Sequence, residues 1–144
     1  MSSPTNPPSD THAERNPPPR FFGLMKATTV FLAAALLVQG LTAGQLLSNA
    51  DGRGLHQTTG GVVTFALVLQ TIAALLVWRA GRGSGRYLAV TAVLWVFVSI
   101  QFAVHGNVAV HVPLGVALFG AGAVLTAQVW TTRPAKPAEL RTGR

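Results

Sequence analysis

The sequence predicts an all-α protein, an integral membrane up-down bundle of four helices with both termini in the cytoplasm. Three observations carry that expectation. Only 10% of the 144 residues are charged, against roughly 25% in an average soluble domain. Between Ala27 and Thr132 the formal charges are Asp51, Arg53, Arg79, Arg82 and Arg86, gathered in two short stretches and leaving long uncharged apolar runs. Finally, Lys and Arg are distributed very unevenly among the segments between those runs.

Residues 1–20 hold six of the nine prolines and show no apolar periodicity, the composition of a disordered tail with nothing to bury. The first run, 27–47, is followed by Asn49, Asp51, Gly52 and Gly54, residues that favour turns. It covers about 31 Å at 1.5 Å per residue, enough for a hydrocarbon core, and is too long for a signal-peptide core. The second run, 58–78, ends at the basic, glycine-rich turn Arg79 to Arg86. A third run, 87–104, and a short link lead to the fourth, 111–131; residues 133–144 form a basic tail. These four spans define one transmembrane domain, 21–132. Membrane β-strands are about ten residues long and alternate apolar with polar, so helices are expected.

Orientation follows from the basic residues. Arg15, Arg20 and Lys26 precede the first span, Arg79, Arg82 and Arg86 lie between the second and third, and Arg133, Lys136, Arg141 and Arg144 follow the fourth. Arg53 stands alone on the other side, and basic residues favour the cytoplasmic side. The net charge of +7 is thereby read as a topology signal, with no nucleic-acid partner, because no basic face studded with aromatics accompanies it. The partners compatible with the sequence are the lipid bilayer and either a membrane protein or a second copy of the chain. The richness in Ala, Gly, Val and Arg suggests a bacterial plasma membrane.

With no cysteine, thiolate metal sites, iron–sulfur clusters and covalently attached haem are excluded. No span contains Asp or Glu, which argues against proton-coupled cation export. No nucleophile–base pair is evident, so the chain is not expected to be an enzyme on its own. Gly40 and Gly44 form a GxxxG pair, read as a helix-packing device; the glutamines of the spans are read as interhelical bridges.

Three histidines, His56, His105 and His111, fall on the outer side. His56 and His111 head the second and fourth spans, and each is followed four residues later by glycine, Gly60 and Gly115. In an up-down bundle these two helices are diagonal partners, with axes roughly 11–14 Å apart. That spacing suits two imidazoles clasping one flat iron porphyrin, with a glycine one turn deeper on each helix leaving room for the macrocycle. The expected cofactor is haem b with His56 and His111 as iron ligands, His105 being the alternative ligand. Gly122 and Gln70 return to the same helix faces by periodicity, and Arg53, Asn49 and Asn107 stand near the propionates. A metal site built from all three histidines is a second arrangement that imidazole chemistry allows.

On these residues, across Ala27 to Thr131, the chain resembles one four-helix half of the haem A synthase family, and also short four-span bacterial membrane proteins of similar layout. The family places haem-ligating histidines near the outer ends of the second and fourth helix of each half, where His56 and His111 stand. The resemblance implies haem binding, with electron transfer or haem handling as the role. It does not extend to the synthase reaction. The glutamate that precedes and the arginine that follows the second-helix histidine in the catalytic half have no counterpart beside His56, where Arg53-Gly54-Leu55 precede and Gln57 follows. The rival expectation is a cofactor-free accessory or structural subunit of a membrane complex.

Overall fold

The computed structural model describes residues 20–48 and 52–132. The expected disordered tail (1–20) and basic tail (133–144) lie outside the described residues apart from Arg20, as do Asn49, Ala50 and Asp51. The described chain forms four helices, α1 (Phe22–Ser48), α2 (Arg53–Arg79), α3 (Arg86–Ala103) and α4 (Val108–Thr131). No strand occurs among the described residues. All four helices are long and apolar enough to cross a bilayer.

The helices begin earlier than the apolar runs that predict them. Hydropathy marks where charge stops, whereas a helix continues while its side chains find partners. At the start of α1, Phe22 and Met25 are buried, and the Lys26 ammonium lies 4.9 Å from the Trp130 ring centroid. Charge at this position is accommodated by an aromatic face. The α2 helix opens at Arg53 and therefore includes His56.

Short connections make consecutive helices antiparallel neighbours. Each helix packs against its neighbours in the chain, and α1 closes the ring against α4, leaving α2 and α4 diagonal. At one end α1 and α3 start together, with the Phe22 and Tyr87 rings 6.3 Å apart. There α4 ends beside them, where Arg86 Nη2 donates to Thr132 Oγ1 (3.0 Å) and Tyr87 Oη (2.7 Å). This basic end carries Arg20, Lys26, Arg79, Arg82 and Arg86. At its turn a Cβ on Gly81 would lie 2.7 Å from the Arg20 carbonyl oxygen and 2.8 Å from that of Val77, so the close approach requires glycine. The opposite end carries His56, His105 and His111.

The core fills the basic half. Ala66, Ala73, Ala74, Val77, Met25 and Val129 are wholly inaccessible. Gln70 is equally buried; its Oε1 accepts from Thr28 Oγ1 (2.7 Å) and its Nε2 donates to Met25 Sδ (3.4 Å). Thr126 Oγ1 donates to the Thr29 carbonyl across the α1–α4 seam (3.0 Å). Gln70 and Gly122 thus serve interhelical packing, away from the level of the histidines. Helical periodicity supplies an angle but no depth, and fourteen residues carry Gln70 about 21 Å along the axis.

A Cβ on Gly122 would lie 2.8 Å from Leu36 Cδ1. Gly122→Leu should therefore force α1 and α4 apart and cost about 1–3 kcal/mol by overpacking. Gly120→Leu, where a Cβ meets nothing within 4 Å, should be neutral. Thermal unfolding of the two variants in one detergent checks the contrast; equal melting temperatures would contradict it. Outward, Leu41, Leu47, Phe65 and Val116 are 62%, 61%, 58% and 66% exposed, an apolar exterior far larger than water-facing helices tolerate.

Candidate functional site

The histidine end is hollow. A cavity of about 740 Å³ lies among all four helices, inside the range of about 300–1,000 Å³ typical of small-molecule and cofactor sites. Its wall is apolar apart from His56, His105, His111, Gln39, Gln57 and Gln101. Helix α1 contributes Gly40 and Gly44, α2 Gly60 and α4 Gly115, so four wall positions have no side chain.

The two diagonal histidines are matched in depth. His56 is the fourth residue of α2 and His111 the fourth of α4. Because these helices run in the same direction, equal positions bring the rings to one level. Their centroids are 6.0 Å apart, with the ring planes at 69°. A metal between two imidazoles, bonded at about 2.0–2.1 Å to nitrogens roughly 1.1 Å from their ring centres, holds those centres about 6.3 Å apart. The observed separation agrees with this.

Each ring is held by its neighbouring helix. His111 Nδ1 donates to the Gln101 carbonyl oxygen (3.1 Å), and Gln101 Nε2 donates back to the His111 carbonyl oxygen (2.9 Å). This reciprocal clasp between α3 and α4 fixes the tautomer and leaves Nε2 with its lone pair free, the usual arrangement behind a metal-ligating histidine. His105 is anchored similarly, Nδ1 donating to the Phe102 carbonyl (2.8 Å), but its side chain is exposed.

His56 is tethered to α1. Gln39 Nε2 lies 3.3 Å from both of its ring nitrogens, and Thr42 Oγ1 lies 3.3 Å from Nδ1. Thr59 Oγ1 donates to Gln39 Oε1, and the Thr42 and Thr59 hydroxyls are 2.9 Å apart. Ligation through His56 requires the flexible Gln39 side chain to turn aside.

The glutamines occupy the space the glycines leave. A Cβ on Gly60 would lie 3.6 Å from Gln39 Nε2, and one on Gly115 3.2 Å from Gln101 Nε2. Gln101 Oε1 is buried without a hydrogen-bond partner, an orphan that a ligand donor would satisfy.

Of the residues singled out from sequence, His56, His111, Gly60, Gly115 and His105 share the cavity wall. Arg53 and Asn107 are exposed at the helix starts and stand outside it; neither α2 nor α4 has a side-chain cap there. Gly40 and Gly44, read as a packing pair, meet no atom within 4 Å of an added Cβ and face the cavity instead. Among the described residues no group of three or more His, Cys, Asp or Glu comes together as a metal site. That leaves the three-histidine arrangement without support. Reasoning from sequence missed Gln39 and Gln101 as members of the site. Their signal was an uncharged polar residue level with the histidines, in the outer half of an apolar span.

Compared with protein-family models, curated proteins and solved structures, the chain finds no match.

Proposed function

We propose that the protein is a multi-pass membrane protein, with both termini in the cytoplasm, that holds one b-type haem between His56 and His111. The observation that carries the reading is the pair of rings, level on diagonal helices and 6.0 Å apart, at an apolar cavity whose wall is opened by four glycines. His111 Nε2 and a ring nitrogen of His56 would hold the iron, with His105 the alternative. The uncapped starts of α2 and α4, together with Arg53, would favour ionised propionates. The bound group would supply one-electron chemistry, which points to electron transfer or haem handling within a bacterial plasma membrane. The resemblance to one half of the haem A synthase family supports the ligand assignment and is itself part of the proposal.

Purified after expression with added haem, the protein should contain about one haem per chain by pyridine haemochromogen assay. A colourless protein would contradict the reading and leave the cofactor-free subunit in its place. For orientation, a reporter active only in the cytoplasm should work when fused after Arg144 or inserted at Gly83, and fail between Gly52 and Arg53. The five cations of the described basic end, against Arg53 at the other, carry that expectation. Activity at Arg53 alone would invert the topology.

A further inference from the structure

The cavity is not enclosed equally on all sides. At the level of the histidines, hydrogen bonds from Gln39 to His56 close the α1–α2 seam, and the Gln101–His111 clasp closes the α3–α4 seam. The α1–α4 seam behaves differently along its length. In the basic half it is tight, where Gly122 admits Leu36 and Thr126 bonds to Thr29. In the histidine half it opens. Gly40 and Gly44 on α1 would carry a Cβ without meeting any atom within 4 Å. Leu37, Leu41, Val116 and Phe119 line the cavity and are nevertheless 49%, 62%, 66% and 38% exposed, as are the wall residues Leu47 (61%) and Phe102 (56%) nearer the histidine end. Side chains that belong to both a cavity wall and an exterior are the lips of an opening.

Leu37, Leu41, Val116 and Phe119 are apolar and lie within helices long and apolar enough to span a bilayer, whereas the polar exposed wall residues Gln57 and His105 stand at the histidine end. An opening of that character communicates with hydrocarbon and disfavours a charged or strongly hydrated solute. We infer that the slot between the outer halves of α1 and α4 is a lateral portal through which haem passes between the bilayer and the histidine pair. This rests on the haem reading above and names the phase with which the site exchanges its ligand. Gly40 and Gly44 would leave the α1 side of that path free of side chains, and the ligand's carboxyl groups would stay at the histidine end. The lips set the rate of passage, because they border the way into the cavity.

The test is kinetic. Full-length apoprotein is reconstituted in phosphatidylcholine vesicles, haemin is added to partition into the same bilayer, and the Soret shift is followed by stopped flow. Leu41→Trp and Val116→Trp should slow the approach of the shift to its own end point at least about fivefold. Val96→Trp, 59% exposed on α3 and outside the cavity wall, should keep the wild-type rate, and Leu41→Ala with Val116→Ala should exceed it. Equal rates in all these proteins, each reaching the full spectrum, would overturn the portal and leave haem binding intact. No Soret shift in the wild type would overturn both.

Discussion

His111→Ala should abolish stable haem retention and leave the helices inserted. The residue is anchored twice to α3, through its ring and through its carbonyl oxygen, so the free Nε2 is presented without further ordering. Loss of a partner behind a metal ligand already costs about 10–100-fold in metal affinity; loss of the ligand itself should exceed about 100-fold. His56→Ala should match it in the low-spin signal, leaving at most five-coordinate iron on His111. The His56 ring is tethered by Gln39 and Thr42 on the α1 side, so any haem left on His56 in His111→Ala should be held more loosely than haem left on His111 in His56→Ala. His105→Ala should keep most of the spectrum, because that side chain is exposed and the diagonal pair does not include it. Reduced-minus-oxidised spectra of the three purified variants decide this. Loss in His105→Ala with retention in His111→Ala would transfer the ligand role to His105.

The second large effect is steric. Gly60→Leu and Gly115→Leu should weaken haem binding by about 1–3 kcal/mol, or roughly 5- to 150-fold, because each puts an isobutyl group into the cavity beside a histidine. The Gln39 amide stands 3.6 Å from a Cβ on Gly60, so the Gly60→Leu apoprotein should remain as stable as the wild type, whereas Gly115→Leu must also shift the Gln101 amide that clasps His111. Gly61→Leu and Gly120→Leu are the matched controls, since an added Cβ meets nothing within 4 Å and neither residue lines the cavity. Leucine on these outward faces should leave haem titrations unchanged. Equal haem affinity in all four variants would show that the glycines are not the macrocycle's walls.

The fold was legible because its determinants are one-dimensional. Charge is confined to the turns, and four uncharged runs of bilayer length leave few other ways to fold. The matched depth of His56 and His111 was legible for the same reason, since each heads a helix and short connections fix helix order. What the sequence could not convey was which side of a helix meets which neighbour. Gly40 and Gly44 carry the same motif whether they face a helix or a void, and here the open space beside them turns a packing signature into a cavity wall. Gly122 presents the reverse case, matching His111 in angle while serving the α1–α4 contact one half-bundle away. The glutamines were ambiguous in type. Gln70 bridges helices, as glutamine in an apolar span usually does, whereas Gln39 and Gln101 hold histidines. Only their height along the bundle separates the two uses.

The central claim is that His56 and His111 jointly hold one haem iron. It is tested most directly by the electron paramagnetic resonance spectrum of the ferric protein, loaded with one equivalent of haemin and compared with its two single-alanine variants. The account predicts a low-spin signal of two axial imidazoles in the wild type and its absence from both His56→Ala and His111→Ala. A wild-type signal that is high-spin, or a low-spin signal that survives in either variant, would contradict it.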